Sequence, residues 1–153
     1  MKKAVVALSL LFMSVAVLAQ NAVPAQKKAE DFVKFKDAVH DFGKIKQNVP
    51  VTYDFQFTNI SAQPVIVENA QATCGCTKPT WPEAAIAKGK SDKITAGFNA
   101  QTLGTFTKQI TVKLAGVDIP YTLTITGEVL TAEDYAKYEA TKKDRNSSKP
   151  GSR

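Results

Sequence analysis

Residues Val51–Asn59 read VTYDFQFTN, and this stretch decides the fold class. Its apolar side chains, Val51, Tyr53, Phe55 and Phe57, alternate with polar ones. Successive side chains of a β-strand point to opposite faces, so this period of two predicts a strand with one buried face. The chain is therefore expected to bury one face of a β-sheet.

The same alternation recurs on both sides of this stretch. Upstream, residues 32–41 predict a strand through Val33, Phe35 and Val39, ending where Gly43 permits a turn. Downstream, three apolar rows face inward: Ile94, Ala96 and Phe98; Phe106, Ile110, Val112 and Leu114; and Ile119, Tyr121, Leu123 and Ile125. About seven short strands separated by turns predict an all-β, antiparallel β-sandwich, with a closed β-barrel as the alternative.

The first residues have the pattern of a secretory signal peptide. Lys2 and Lys3 precede an apolar run that ends at Ala19, with small side chains before the expected cut between Ala19 and Gln20. The run is shorter than the ~20 apolar residues that span a bilayer. We expect residues 1–19 to be removed, and the exported protein to reside in the periplasm, in the cell envelope or outside the cell.

The remaining chain divides into one domain and its flanks. We expect a flexible leader over residues 20–31, the sandwich over 32–130, a short helix over 131–141 and a disordered basic tail over 142–153. Thr131 and Asp134 resemble a capping box at the start of that helix. Loss of Lys2 and Lys3 lowers the formal charge from +6 to about +4. Export argues against a nucleic-acid partner, and no later segment is apolar enough to span a membrane.

The two cysteines, Cys74 and Cys76, carry the only candidate covalent chemistry, and four interpretations of them are open. They form a mutual disulfide, a redox-active dithiol, a metal site, or a pair of buried thiols. On a flat strand their Cα atoms would lie ~6.6 Å apart, near the upper limit for a disulfide, unless Gly75 bends the backbone. We favour a mainly structural pair, with thiol–disulfide exchange and then metal binding as alternatives.

Metal binding has few potential ligands. Zinc prefers four ligands, and the chain offers Cys74, Cys76 and one histidine, His40. We therefore predict no cofactor. His40 and Asp41 do not suggest a catalytic dyad, because neighbouring strand residues point to opposite faces. Asp41 is interpreted instead as a turn residue before Gly43.

A contact surface is expected around the cysteines, together with an exposed sheet edge. Its candidate residues are Thr73, Gly75, Thr77, Lys78 and Trp81. Trp81 has a second interpretation, as a lid over one end of the sandwich. The expected partner is an envelope protein or a polysaccharide.

Five short strings resemble a bacterial family of unknown function, numbered 1573. They are His40-Asp41-Phe42-Gly43, Phe55-Gln56-Phe57-Thr58-Asn59, Cys74-Gly75-Cys76-Thr77, Gly104-Thr105-Phe106 and Ile125-Thr126-Gly127-Glu128-Val129. The resemblance covers residues 35–130. That family is similar to the immunoglobulin-like domains of the Hydin and major-sperm-protein class, which implies a seven-stranded sandwich and no enzyme activity. One departure is Ala87-Lys88-Gly89-Lys90, where a Pro-Gly turn is common in the family.

Export can be tested by the intact mass of the protein recovered from its native compartment. We expect a chain that begins at Gln20, because signal peptidase cuts after small residues such as Ala19. A mass that retains residues 1–19 would refute cleavage. Alkylation of the denatured protein, with and without a reductant, counts the free thiols in the same experiment.

Overall fold

The computed structural model describes residues 25–147, in which two four-stranded sheets face each other. The strands are β1 (Val33–Phe35), β2 (Val39–Lys46), β3 (Val51–Asn59), β4 (Val67–Ala72), β5 (Thr77–Thr80), β6 (Ser91–Phe98), β7 (Gly104–Leu114) and β8 (Tyr121–Leu130). A short 3₁₀ helix (Ala29–Asp31) precedes β1, and helix α1 (Ala132–Ser147) follows β8. The first sheet has the order β1-β3-β6-β5, and the second has the order β2-β8-β7-β4.

The predicted β-sandwich is confirmed, and the barrel alternative is wrong because the strands form two separate sheets. Two details differ from the sequence expectation. The sandwich has eight strands rather than about seven, and β2 pairs with β8 in parallel, so the second sheet is mixed rather than antiparallel.

The extra strand arises from residues 32–41, which the sequence predicted as one strand. The chain leaves the first sheet after β1 and joins the second sheet as β2, so Phe35 and Val39 belong to different sheets. Nor does the strand end at Gly43, because β2 continues to Lys46. Gly43 has a φ of +64°, which glycine adopts at little cost, and the pairing with β8 shifts register between Asp41 and Lys44. Gly43 thus bulges the strand instead of ending it.

The core lies between the two sheets and is filled by the alternating rows that the sequence predicted. Phe55 and Ile94 from the first sheet, and Ile110, Leu123 and Ile125 from the second, have no exposed surface. Their burial removes apolar area from water, the dominant favourable term in folding.

Both flanks of the sandwich are more ordered than the sequence suggested. The main-chain N–H of Ala29 donates to Ile119 at 2.9 Å, and the Ala29 side chain is buried, so the end of the predicted leader is part of the domain. Helix α1 runs to Ser147, six residues beyond the predicted limit of Thr141. The Thr131 hydroxyl accepts from the Asp134 N–H at 3.1 Å, as a helix cap does.

The predicted signal peptide lies outside the described residues, as do residues 20–24 of the leader and the last six of the predicted tail. Within residues 25–147, no helix is long and apolar enough to cross a membrane.

Asn59 is a fully buried polar residue at the end of β3. Its side-chain Nδ2 donates to the carbonyls of Gln63 and Ile86, each at 2.8 Å. Its Oδ1 accepts from both the N–H and the hydroxyl of Ser61. Four hydrogen bonds therefore tie β3 to the turn that follows it and to the segment before β6.

Asn59→Ala should destabilise the domain by about 2–3 kcal/mol, because it removes four hydrogen bonds of a fully buried amide and opens a small cavity. Urea denaturation would measure the loss. Asn69→Ala is the matched control, since Asn69 is exposed on β4 and its replacement should change stability by less than about 0.5 kcal/mol. Equal effects of the two substitutions would show that the Asn59 network contributes nothing specific.

Candidate functional site

Cys74 and Cys76 lie in the turn between β4 and β5, where the chain crosses from the second sheet to the first. They form a disulfide, with their Cα atoms 5.3 Å apart. The ~6.6 Å separation expected for a flat strand does not apply, because residues 73–76 turn rather than extend. The Cα separation lies within the ordinary range for a disulfide.

Main-chain hydrogen bonds hold this turn independently of the disulfide. The Thr73 N–H donates to Gln109 of β7 at 3.0 Å, and the Asn99 N–H donates to the Cys76 carbonyl at 3.0 Å. The covalent ring spans only three residues, for which loop entropy gives about 1.6 kcal/mol, against about 3 kcal/mol for a loop of fifteen. The disulfide is therefore a weak global restraint on a turn that is already anchored at both ends.

Thr77 is the residue at this site whose position the sequence misjudged. It was expected on a contact surface, yet it is only 4% exposed, because it is the first inward-facing residue of β5. Its hydroxyl lies 3.7 Å from the Cys74 sulfur and 3.9 Å from the Cys76 sulfur. Thr77 is thus a buried polar neighbour of both sulfurs, not a surface contact.

The other predicted surface residues divide between two places. Gly75 and Lys78 are exposed and border a groove of about 370 Å³ on the outer face of the first sheet, with Thr73 exposed close by on the chain. Trp81 follows the opposite end of β5, roughly 13 Å along the strand from Thr77. It is half-buried and packs against the core. The preceding residue, Thr80, pairs with Thr95 in the middle of β6, and the role of Trp81 as a lid over one end of the sandwich stays a prediction.

The groove beside the disulfide is deepest at Gly97, which has no side chain to fill it. Its walls are Pro50, Val51, Thr52, Gly75, Cys76, Lys78, Phe98, Asn99 and Gln101. A Cβ atom on Gly97 would lie 3.3 Å from the Lys78 carbonyl oxygen, closer than most side-chain contacts. Cys76 borders this groove, whereas Cys74 does not.

His40 is too far from the cysteines to share a metal ion with them. It lies on β2, and Cys74 follows β4, at opposite edges of the second sheet. Three strand spacings separate these edges, roughly 14 Å. Within residues 25–147, no three His, Cys, Asp or Glu side chains cluster closely enough to hold a metal ion.

The His40 ring instead bridges the two sheets. It stacks on Tyr53 of β3 with 3.6 Å between ring centroids, and the edge of Phe42 meets it at 4.6 Å. The Tyr53 hydroxyl donates to Asp37 at 3.1 Å. Burial lowers the pKa of His40, an effect that the carboxylates of Asp41 and Asp37 oppose. Asp41 itself accepts a hydrogen bond from the Gly43 N–H at 2.9 Å, as a turn residue is expected to do.

The edge of the first sheet at β5 offers no free main-chain donor at its outward positions. The Cys76 carbonyl is bonded to the residue that follows β6, so by alternation the main-chain groups of Lys78 and Thr80 also face β6. The main-chain groups of Thr77 and Pro79 therefore point away from the sheet, although the Thr77 side chain is buried. The Thr77 N–H is already bonded to the Cys74 carbonyl at 3.3 Å, and proline has no N–H. This edge is therefore poorly suited to accept another strand.

The edge of the second sheet at β4 is open. The Thr73 N–H is bonded to β7, so by alternation the main-chain groups of Asn69 and Gln71 also face β7. The main-chain groups of Ala70 and Ala72 then point away from the sheet. β4 is the terminal strand of its sheet, with no strand paired on that side among residues 25–147. A groove of about 460 Å³ on the outer face runs beside it, lined by Asn69, Gln71, Ala72, Thr73, Thr111, Lys113 and Pro120. Sequence reasoning expected a free edge but could not say which one.

The remaining two edges are less available. β1 has only three residues. α1 packs next to β2, where the Lys44 ammonium lies 5.4 Å from the centre of the Tyr138 ring. Of the four edges in the described chain, β4 thus presents the longest uncovered and unblocked stretch of main chain.

Comparison with known proteins shows both the family and the fold. The model of a family described as protein of unknown function (DUF1573) matches residues 33–129. No curated protein sequence is significantly similar to the chain. The PapD-like domain 7 of human CEP192, an ASH/PapD-like domain, is 10% identical with a TM-score of 0.58, and the match covers 78% of this chain and 98% of that domain.

Two bacterial structures are similar over part of their length. A protein of unknown function from Porphyromonas gingivalis W83 is 9% identical with a TM-score of 0.54, covering 63% of this chain and 46% of that one. The VesB protease of Vibrio cholerae is 16% identical with a TM-score of 0.53, covering 66% of this chain and 33% of the protease. The chain thus spans a third to a half of these proteins, and at such identities the likeness shows the fold alone.

The stability of the domain should fall as the pH drops below about 6.5, the ordinary pKa of histidine. Burial lowers the pKa of His40 in the folded state, so the unfolded chain binds the proton more readily and acid favours unfolding. His40 is the only histidine in the chain, so its NMR titration can be followed without ambiguity.

His40→Phe keeps an aromatic ring against Tyr53 and removes the titrating group. We expect the variant to lose the His40 part of the pH dependence below about pH 6.5, measured by urea denaturation on both sides of that pH. An unchanged pH profile in the variant would contradict this assignment.

Proposed function

The chain belongs to the DUF1573 family of proteins of unknown function, and from that premise we propose that it is an exported, non-enzymatic module that binds an extended segment of a partner protein. The observation that carries the proposal is the free edge of β4. Strand addition to such an edge is a common mode of peptide recognition, with main-chain hydrogen bonds supplying affinity.

The chemistry of β4 suits an added strand. The outward main-chain groups belong to Ala70 and Ala72, whose small side chains face inward and do not cover the edge. Natural edges that avoid pairing carry proline, lysine or bulges. β5 has Lys78 and Pro79, whereas β4 has neither residue type and is irregular only between Val67 and Asn69.

The groove beside β4, on the outer face of the second sheet, would contact the outward-facing side chains of the peptide. Asn69, Gln71 and Thr73 line it with hydrogen-bonding groups, and the Lys113 ammonium pairs with Glu68 at 3.2 Å. A segment with apolar residues at alternate positions and polar residues between them fits both faces of the edge. This two-sided pattern favours a protein segment over a polysaccharide as the partner.

Export has separate support in the sequence and in the chemistry of the cysteines. Lys2, Lys3 and the apolar run to Ala19 form a signal-peptide pattern. Disulfides persist mainly in exported proteins, and Cys74 and Cys76 are paired. The pair closes a three-residue ring within the crossover between the sheets.

The binding proposal can be tested with a displayed library of random peptides selected against the mature protein. Hydrogen exchange should show the amides of Ala70 and Ala72 exchanging quickly in the free protein and protected in the complex, because the added strand takes up those donors. Ala72→Pro removes one outward N–H and should weaken binding of the selected peptide about fivefold or more, the value of one net hydrogen bond.

Ala72→Ser is the matched control, because it changes the same half-buried side chain and keeps the outward main-chain N–H. Thermal melts would confirm that both variants are folded. Protection of amides on β2 instead of β4 would place the site elsewhere. Selection of no peptide, combined with binding of an envelope polysaccharide, would show that the partner class is wrong.

A further inference from the structure

Both cysteines are half-buried, Cys76 packs partly against the core, and of the two only Cys76 borders the groove beside the disulfide. Gly75 and Cys76 form part of its wall, and Cys74 does not line it. The floor is low because Gly97 has no side chain between Thr52 and Lys78, its neighbours on β3 and β5. A chain segment can therefore lie across the outer face of the first sheet and reach Cys76.

The loops that carry the groove residues Pro50 and Gln101 also carry exposed apolar side chains. The loop before β3 and the loop before β7 are joined by the Asn48 N–H, which donates to the Ala100 carbonyl at 2.9 Å. These loops carry Val49 and Leu103, which are 47% and 48% exposed. Val49 and Leu103 therefore offer apolar contacts to the side chains of a protein segment, which a small thiol would not use.

We propose that the Cys74–Cys76 disulfide exchanges with a cysteine-bearing protein segment bound in this groove, with the sulfur of Cys76 as the atom attacked. This site lies on the first sheet and is separate from the β4 edge, so either proposal can fail without the other.

The exchange balances without an added cofactor. A substrate thiolate attacks the Cys76 sulfur, the bond to Cys74 breaks, and its electron pair leaves on the Cys74 sulfur, giving a mixed disulfide. A second thiolate of the substrate then attacks the substrate sulfur of that mixed disulfide and releases Cys76 as a thiolate. The substrate dithiol becomes a disulfide, and the Cys74–Cys76 pair gains its two electrons and two protons.

Thr77 is placed to assist the first step. Its hydroxyl lies 3.7 Å from the Cys74 sulfur, so it can donate to the thiolate that forms there as the disulfide opens. It lies 3.9 Å from the Cys76 sulfur, which becomes a thiolate in the second step. A hydrogen bond to the charged form favours that form, and a thiol that ionises more readily is a better leaving group. Lys78, which shares the groove wall, adds a positive charge with the same effect.

The turn itself is suited to cycling between two redox states. Its main chain is bonded at Thr73 to β7 and at Cys76 to Asn99, so reduction leaves the anchors of the turn in place. The two sulfurs then stay close enough to re-form the bond.

The test uses the full mature protein with glutathione as the peptide thiol. In Cys74→Ser, which leaves only Cys76, we expect the remaining thiol to form a mixed disulfide with oxidised glutathione faster than Cys74 does in Cys76→Ser. Mass spectrometry of quenched samples measures both rates. Equal rates, or faster reaction at Cys74, would overturn the assignment of Cys76 as the attacked sulfur.

The role of Thr77 is tested by reduction of the intact disulfide with reduced glutathione. We expect Thr77→Val to slow reduction about tenfold and to raise the thiol pKa of the reduced pair, since a hydrogen bond to a charged group is lost. Thr77→Ser, which keeps the hydroxyl, should restore the rate. Thr80→Val is the matched control on the exposed end of the same strand and should leave the rate unchanged.

One outcome would refute exchange altogether, and a second would refute the role of Thr77. A wild-type disulfide that neither reduced glutathione nor a reduced peptide with two cysteines opens would be a structural cross-link only. A Thr77→Val variant that folds, shown by its circular dichroism, and is reduced at the wild-type rate would remove the hydroxyl from the mechanism.

Discussion

The buried side-chain amide of Asn59 is the polar interaction on which one end of the sandwich depends. β3 must end there, the chain must turn through Ser61 and Gln63, and the segment at Ile86 must lie against that turn before β6 begins. The Asn59 main chain is used as well, since its N–H donates to Lys90 and its carbonyl accepts from Gly89. An amide buried in this way is stable only because every donor and acceptor has a partner.

The two ends of the domain therefore differ in what their loops are free to do. At the Asn59 end, the polar groups of the loop are committed to the fold, and Trp81 packs against the core nearby in the chain. At the disulfide end, Gly75 and Lys78 remain exposed beside a groove. Binding residues are found disproportionately on exposed loops that a rigid scaffold positions.

Much of the fold could be predicted from the sequence because alternation survives in every long strand. Phe55 and Ile94 were placed inward correctly by the period of two. The parallel pairing of β2 could not be predicted, since Val39 and His40 alternate in the same way whichever direction their neighbour runs. The burial of Thr77 could not be predicted either, because it depends on which face of β5 packs against the core after the cysteine turn. The cysteines marked the site, but its geometry depended on contacts distant in sequence.

The contrast between the two edges that meet at the cysteine turn links the fold to its proposed activities. The turn reverses the chain from β4 to β5, so it places an open edge and a blocked edge on the same side of the molecule. It also uses the Thr77 N–H internally, which together with Pro79 removes the outward donors of β5. A partner strand that approaches this side therefore pairs with β4 alone, and the outer face of the first sheet stays accessible beside Cys76. The short Cys-Gly-Cys spacing keeps that turn tight and brings the Cys74 carbonyl within hydrogen-bonding distance of the Thr77 N–H.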